Sequence, residues 1–184
     1  MVLNLPNFLS FFRILLIPFF IQIYQTPFQG HFQLAALIFI GASFTDLLDG
    51  FLARRRGQVT SLGKLLDPVA DKLLIVSALI ILVSGDRVSV WLAILLVGRE
   101  FAVMGLRSIA LTEGIFISVE NTGKYKMVLQ TFGIFFLILD RSIPWMEVAL
   151  IGNILLWAAA ILALISGAQY FYRYWKEMRM KNLS

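Results

Sequence analysis

Four aspartates occur between positions 46 and 71, where one apolar segment ends and the next begins. Asp46 and Asp49 are three residues apart, and Asp67 and Asp71 are four apart. Residues with this spacing share one face of an α-helix. Two adjacent helices joined by a short loop would therefore bring all four carboxylates together at one level.

A divalent cation is the simplest way to hold four neighbouring carboxylates together, because like charges would otherwise force some of them to protonate. Oxygen ligands favour a hard ion such as Mg²⁺ or Mn²⁺, which often also holds substrate phosphates. Two such ions about 3.5–4 Å apart can bind both the entering and the leaving oxygen of a phosphoryl centre. We therefore predict a diphosphate substrate.

Residues between the two aspartate pairs fit a phosphate-bearing ligand. Gly50 and Gly63 remove side chains at points where a nucleotide would approach the backbone closely. Arg54 follows Asp49 by about one helical turn and can bind phosphate oxygens through two hydrogen bonds.

Structural roles remain open for individual aspartates. Asp67 precedes Pro68 and could cap a helix that has proline at its first position. Asp46 and Asp49 could pair with the arginines at 54–56 at a membrane interface. These roles do not explain why all four aspartates occur in one arrangement.

The composition indicates a membrane protein. The 184 residues are 59% hydrophobic and 15% charged, against about 25% charged in soluble domains, and the mean hydropathy is +0.83. One histidine and no cysteine exclude disulfides, thiolate sites and a histidine metal cage. The net charge of +5 suits anionic lipid head groups. Basic residues at the ends of apolar segments make nucleic-acid binding a poor interpretation.

Six apolar segments approach the length of about 20 residues that spans a bilayer. We predict an all-α integral membrane protein, a single domain over residues 1–184, with a short N-terminal interfacial helix. Lysine and arginine are concentrated between the second and third segments, between the fourth and fifth, and in the tail, which places these regions and both termini in the cytoplasm. The predicted spans are 8–25, 32–53, 65–84, 88–109, 123–140 and 146–172.

The pattern Asp-x2-Asp-Gly-x2-Ala-Arg-x8-Gly-x3-Asp-x3-Asp, matched at every fixed position from 46 to 71, resembles the signature of the CDP-alcohol phosphotransferase family. The resemblance implies six transmembrane helices, a homodimer and a site open to the cytoplasm. It implies two divalent cations held by the four aspartates, with Asp71 also acting as general base. The CDP moiety would be received by Gly50, Ala53 and Arg54, with Gly63 nearby.

Further stretches resemble one branch of that family, the bacterial phosphatidylglycerophosphate synthases. These are residues 4–13, residues 99–107, and residues 123–126 with Gln130. The resemblance implies CDP-diacylglycerol as donor, sn-glycerol 3-phosphate as acceptor, and a location in the bacterial cytoplasmic membrane. Met127 departs from the branch, which commonly has threonine there, and this puts a hydroxyl contact in doubt.

Four cations in the fourth and fifth segments are the predicted binding residues for an acceptor phosphate: Arg99, Arg107, Lys124 and Lys126. Ionisable groups within apolar helices indicate function by default. Glu100 and Arg107 are seven residues apart, near one helix face, so we expect Glu100 to orient Arg107. The alternative is that these cations only extend toward the membrane surface.

Other assignments stay open. Asn7, Ser10 and Arg13 either border the nucleotide or begin an interfacial helix, and residues 171–180 are expected to anchor the tail at the interface. The same chemistry could use inositol phosphate, serine or phosphatidylglycerol as acceptor. A membrane prenyltransferase is disfavoured because its aspartate motifs lie far apart. A cation transporter is disfavoured because its site would lie near the bilayer midplane, within repeated halves.

Overall fold

The computed structural model describes the backbone of residues 5–56, 61–115, 121–140 and 147–181, and the side chains of residues 11–45, 69–115, 122–140 and 147–181. The described backbone is helical, without strands. The helices, numbered in chain order, are α1 (Leu5–Gln25), α2 (His31–Arg56), α3 (Ser61–Ser84), α4 (Val90–Thr112), α5 (Asn121–Leu139) and α6 (Val148–Lys181).

Each predicted span corresponds to one helix, with differences at both ends of the chain. In place of a separate short N-terminal helix, α1 runs continuously from Leu5 to Gln25. Pro6 does not interrupt it, because proline is tolerated in the first turn of a helix. At the other end, α6 continues to Lys181, past the predicted end at residue 172. Within the described residues, α6 is the one helix that is long and apolar enough to span a membrane.

Two of the turns between helices contain residues with positive φ. Gly30, between α1 and α2, has φ +86°, a conformation that glycine adopts without steric cost. Asp86, between α3 and α4, has φ +56°, and aspartate tolerates this left-handed region better than most residues do.

The helices pack into one bundle around an apolar core. Helix α1 packs against α2 and α3, α2 also contacts α5, and α6 packs along α5 and α4. This arrangement gives α3, α4, α5 and α6 positions from which their ends can contribute to one site. The core includes Phe20, Phe39, Leu82, Leu96, Ile134 and Leu156.

Close packing of α5 on α6 depends on two glycines. A Cβ atom at Gly133 would lie 2.9 Å from Leu156 Cγ and 3.1 Å from the carbonyl oxygen of Gly152. A Cβ atom at Gly152 would lie 2.7 Å from Leu137 Cγ. Both distances to Cγ are below ordinary van der Waals contact, so larger residues would force the helices apart.

Arg13 is buried between α1 and α2. Its side chain is 2% exposed, and Nε donates a hydrogen bond of 3.2 Å to the carbonyl oxygen of Ala42. A buried guanidinium needs such partners because an unpaired polar group in an apolar interior is costly. Asn7, Ser10 and Arg13 were expected either to border the nucleotide or to begin an interfacial helix, and the side chains of Asn7 and Ser10 lie outside the described residues.

Candidate active site

A cavity of about 220 Å³ lies among α3, α4, α5 and α6. Most of its lining residues are polar or charged, which is unusual between apolar helices. Among the described side chains, six lining residues are lysine or arginine and one is a carboxylate. The lining residues are Lys72, Arg99, Glu100, Val103, Arg107, Gly123, Lys124, Lys126, Met127, Ser166, Tyr170 and Arg173.

All four predicted phosphate-binding cations line this one cavity. Arg99 and Arg107 come from α4, and Lys124 and Lys126 come from the first turns of α5. Lys126 is buried, whereas Arg107 and Lys124 are exposed. The cavity therefore has an inner part around Lys126 and a solvent-facing mouth around Arg107 and Lys124.

Glu100 is the centre of the inner part. Its Oε1 accepts a hydrogen bond from Lys126 Nζ and another, of 3.0 Å, from Arg99 Nη1. Its Oε2 accepts a hydrogen bond from Lys72 Nζ. The Glu100 side chain is only 11% exposed, so these ion pairs are shielded from water and the groups hold one another in place.

Arg99 is fixed by α6 as well as by Glu100. Its Nε donates to the carbonyl oxygen of Ala163 at 2.9 Å, and its Nη2 donates to Ser166 Oγ at 2.7 Å. Ser166 Oγ in turn donates to the carbonyl oxygen of Leu162 at 2.6 Å. Three sides of the guanidinium are thus engaged, and Arg99 joins α4 to α6 at the inner wall.

Arg107 has a partner other than the one expected from spacing. Its Cζ lies 5.7 Å from the centroid of the Tyr170 ring, a cation–π contact between α4 and α6. The expectation that Glu100 orients Arg107 assumed an isolated helix. Instead, Glu100 points toward the ammonium groups of α3 and α5, because neighbouring helices bring these closer charges.

Residues of α3 and α6 in the cavity were not expected from the sequence. Ser166, Tyr170 and Arg173 follow one face of α6 at four- and three-residue spacing, a signal that was present in the sequence. We instead predicted an interfacial anchor for residues 171–180. Lys72, which directly follows Asp71, was not predicted to contribute to the site.

Asp71, the predicted general base, lies beside the cavity. Its Oδ2 lies 3.8 Å from Lys72 Nζ, and its side chain is 19% exposed. Lys72 therefore stands beside both Asp71 and Glu100. The proposed base and the cationic cavity are neighbours in the structure.

Asp46 and Asp49 lie in α2 and Asp67 lies in α3, but the side chains of these three aspartates lie outside the described residues. Helix α2 ends at Arg56 and α3 begins at Ser61, so the two segments meet at neighbouring helix ends. Among the described side chains, no group of three or more histidine, cysteine, aspartate or glutamate residues could hold a metal. The metal, nucleotide and general-base assignments therefore stay predictions for Asp46, Asp49, Asp67, Asp71, Gly50, Ala53, Arg54 and Gly63.

Comparisons with known proteins agree with the signature. Residues 3–165 match the family described as CDP-alcohol phosphatidyltransferase. A Bacillus subtilis protein named CDP-diacylglycerol–glycerol-3-phosphate 3-phosphatidyltransferase is 38% identical, covering 97% of this chain and 99% of its own. Proteins of the same name from Rickettsia felis and Haemophilus influenzae are 40% and 41% identical. They cover 91% and 92% of this chain, and 93% and 92% of their own.

Proposed function

This chain belongs to the CDP-alcohol phosphatidyltransferase family, and on that premise we propose that it transfers the phosphatidyl group of CDP-diacylglycerol to sn-glycerol 3-phosphate. The products are phosphatidylglycerophosphate and CMP. The donor and acceptor are those in the names of relatives that match nearly the whole chain.

The observation that carries the choice of acceptor is the cationic cavity beside Asp71. Its wall combines six cations with one carboxylate among the described side chains, so it attracts an anion. Charge-assisted hydrogen bonds from lysine and arginine are the usual way in which proteins hold phosphate. A neutral acceptor such as serine would gain little from this charge, whereas glycerol phosphate carries its phosphate at the end opposite the reacting hydroxyl.

The reaction needs one proton transfer and one displacement at phosphorus. Asp71 takes the proton of the acceptor hydroxyl, and the hydroxyl oxygen forms a bond to the lipid-side phosphorus of CDP-diacylglycerol. The bond from that phosphorus to the bridging oxygen breaks, and its electron pair leaves with CMP. The cavity contributes by binding the phosphate end of the acceptor, so that the hydroxyl is presented near Asp71.

The donor site is proposed at the meeting of α2 and α3. Divalent cations bound by Asp46, Asp49, Asp67 and Asp71 would supply charge neutralisation at the diphosphate. Asp71 fits this role because it offers carboxylate oxygens, the ligands that Mg²⁺ and Mn²⁺ prefer. The CDP moiety would lie against a surface formed by Gly50, Ala53, Arg54 and Gly63.

The protein is proposed to cross the cytoplasmic membrane six times, with both termini and the site in the cytoplasm, and to form the homodimer that the family resemblance implies. Support comes from large apolar side chains on the outside of the bundle. Trp91 is 80% exposed and Phe19, Leu37 and Ile80 are each 63% exposed. Such a surface is unfavourable in water and matches lipid.

Release of CMP tests the proposed acceptor. Purified protein is incubated with CDP-diacylglycerol, Mg²⁺ or Mn²⁺, and one acceptor at a time: sn-glycerol 3-phosphate, inositol phosphate, serine or phosphatidylglycerol. We expect CMP release to require an acceptor and, of the four acceptors, to occur only with sn-glycerol 3-phosphate. Release with a different acceptor and none with glycerol phosphate would keep the reaction class and overturn the acceptor.

A further inference from the structure

The carboxylate of Glu100 occupies the place in the cavity where donors converge most closely. Both of its oxygens are engaged, with Lys72 at Oε2 and with Lys126 and Arg99 at Oε1. These donors come from α3, α5 and α4, so three helices point cations at one anion. The Lys126 side chain is 5% exposed and that of Glu100 is 11% exposed, which places the anion position deep in the wall.

A phosphate group entering this position would need the same N–H donors that Glu100 already uses. Carboxylate and phosphate oxygens bind lysine and arginine with similar geometry, and two anions cannot share the position without strong repulsion. Glu100 is also attached to α4 and is present at all times. A bound phosphate must therefore either displace Glu100 or bind elsewhere in the cavity.

The mouth of the cavity offers a second place for an anion. Arg107 and Lys124 line the cavity and are exposed. Arg107 Cζ lies 5.7 Å from the centroid of the Tyr170 ring, and a guanidinium in such a contact still has N–H groups with which it can bind an anion. Neither Arg107 nor Lys124 is paired with Glu100 in the structure.

We propose that Glu100 is a positioning residue that fills the inner anion position, so that the acceptor phosphate binds at the mouth beside Arg107 and Lys124. This inference rests on the proposed function and adds where the acceptor lies. Without Glu100, the acceptor phosphate would bind to Lys72 and Lys126. Because Lys72 lies 3.8 Å from Asp71, the phosphate end of the acceptor would then lie beside Asp71 in place of the hydroxyl. Glu100 therefore limits the depth of acceptor binding and does not itself contact the reacting atoms.

Glu100→Gln tests the proposal, with inorganic phosphate as the probe. Phosphate is measured in two ways: as an inhibitor competing with glycerol 3-phosphate in CMP release, and by direct binding of labelled phosphate to the purified protein. Glu113→Gln is the matched control. Glu113 directly follows α4, is exposed, and pairs with Lys181 at 3.0 Å outside the cavity.

We expect Glu100→Gln to bind phosphate about tenfold more tightly, because a nearby negative charge has been removed. The kcat with glycerol phosphate should fall about tenfold or more while the KM for CDP-diacylglycerol stays unchanged. Adding Lys126→Gln to Glu100→Gln should abolish the gain in phosphate binding. Glu113→Gln should match the parent protein in every measurement.

Unchanged or weaker phosphate binding in Glu100→Gln would overturn the proposal. If this variant does not fold, Glu100→Asp decides the matter. The shorter carboxylate of aspartate cannot contact both Lys72 and Lys126. Phosphate should therefore bind to this variant about threefold more tightly than to the parent protein. Phosphate affinity equal to that of the parent protein would contradict the proposal. Direct phosphate binding needs no turnover. If the parent protein releases no CMP with glycerol phosphate, the proposed function fails while the role of Glu100 is still tested.

Discussion

The guanidinium of Arg107 lies over the ring of Tyr170, with Cζ 5.7 Å from the ring centroid. This contact joins α4 to α6 at the mouth of the cavity. Tyr170 is 8% exposed, so its ring is a fixed surface against which the exposed arginine rests. A guanidinium that lies over an aromatic ring still has N–H groups with which it can bind an anion.

Arg107→Ala should raise the KM for glycerol 3-phosphate about tenfold, because one charged hydrogen bond to the acceptor is lost. The KM for CDP-diacylglycerol should change much less. Steady-state kinetics with each substrate varied in turn provides the test. Arg179→Ala is the control, because it removes an exposed cation near the end of α6 that does not line the cavity. Equal effects on both substrates would argue against an acceptor role for Arg107.

Substitutions at Tyr170 separate the ring from the hydroxyl. Tyr170→Phe keeps the surface under Arg107 and should leave the KM for glycerol 3-phosphate within about twofold of the parent value. Tyr170→Leu removes the aromatic face and should raise that KM severalfold, in the direction of Arg107→Ala. The same kinetic assay applies. If Tyr170→Phe is as impaired as Tyr170→Leu, the hydroxyl and not the cation–π contact is what matters.

The helices themselves were predictable because long apolar segments separated by turn residues leave few alternatives. The end of α6 was not, since its last turns mix aromatic and basic residues that suggested an interfacial anchor. The four cations of α4 and α5 were chosen from their type and position, and the structure brings all four to one cavity. Their partners were not, because the pairing of Glu100 with Lys72 and Lys126 depends on how three helices pack. The spacing along α4 alone suggested that Arg107 would be the partner of Glu100.

Arg99→Ala should lower the thermal stability of the protein. Arg99 bonds to Ala163, Ser166 and Glu100, and its loss removes the two hydrogen bonds that join α4 to α6 and one ion pair, at a cost of about 1.5–3 kcal/mol. The melting temperature in detergent measures this effect, and Arg179→Ala again serves as control. If Arg99→Ala and Arg179→Ala have the same melting temperature, the contacts of Arg99 with α6 contribute little to the stability of the fold.

Gly133→Ala should destabilise the packing of α5 on α6. The new Cβ would meet Leu156 and the backbone of Gly152 at 2.9 to 3.1 Å, and overpacking of this kind costs about 1–3 kcal/mol. Gly41→Ala is the matched control, because a Cβ there has no atom within 4 Å outside its own helix, and alanine favours helix over glycine. Melting in detergent should separate the two variants. A Gly133→Ala protein as stable as Gly41→Ala would contradict the close approach of the helices.

The most direct test of the account follows label from glycerol 3-phosphate into lipid. Purified protein receives CDP-diacylglycerol, Mg²⁺ and labelled sn-glycerol 3-phosphate, and both the labelled lipid and CMP are quantified. We predict equal amounts of the two products, with neither formed after chelation or by Asp71→Asn. Label that stays in the aqueous phase while CMP accumulates, or full activity in Asp71→Asn, would contradict the transfer that we propose.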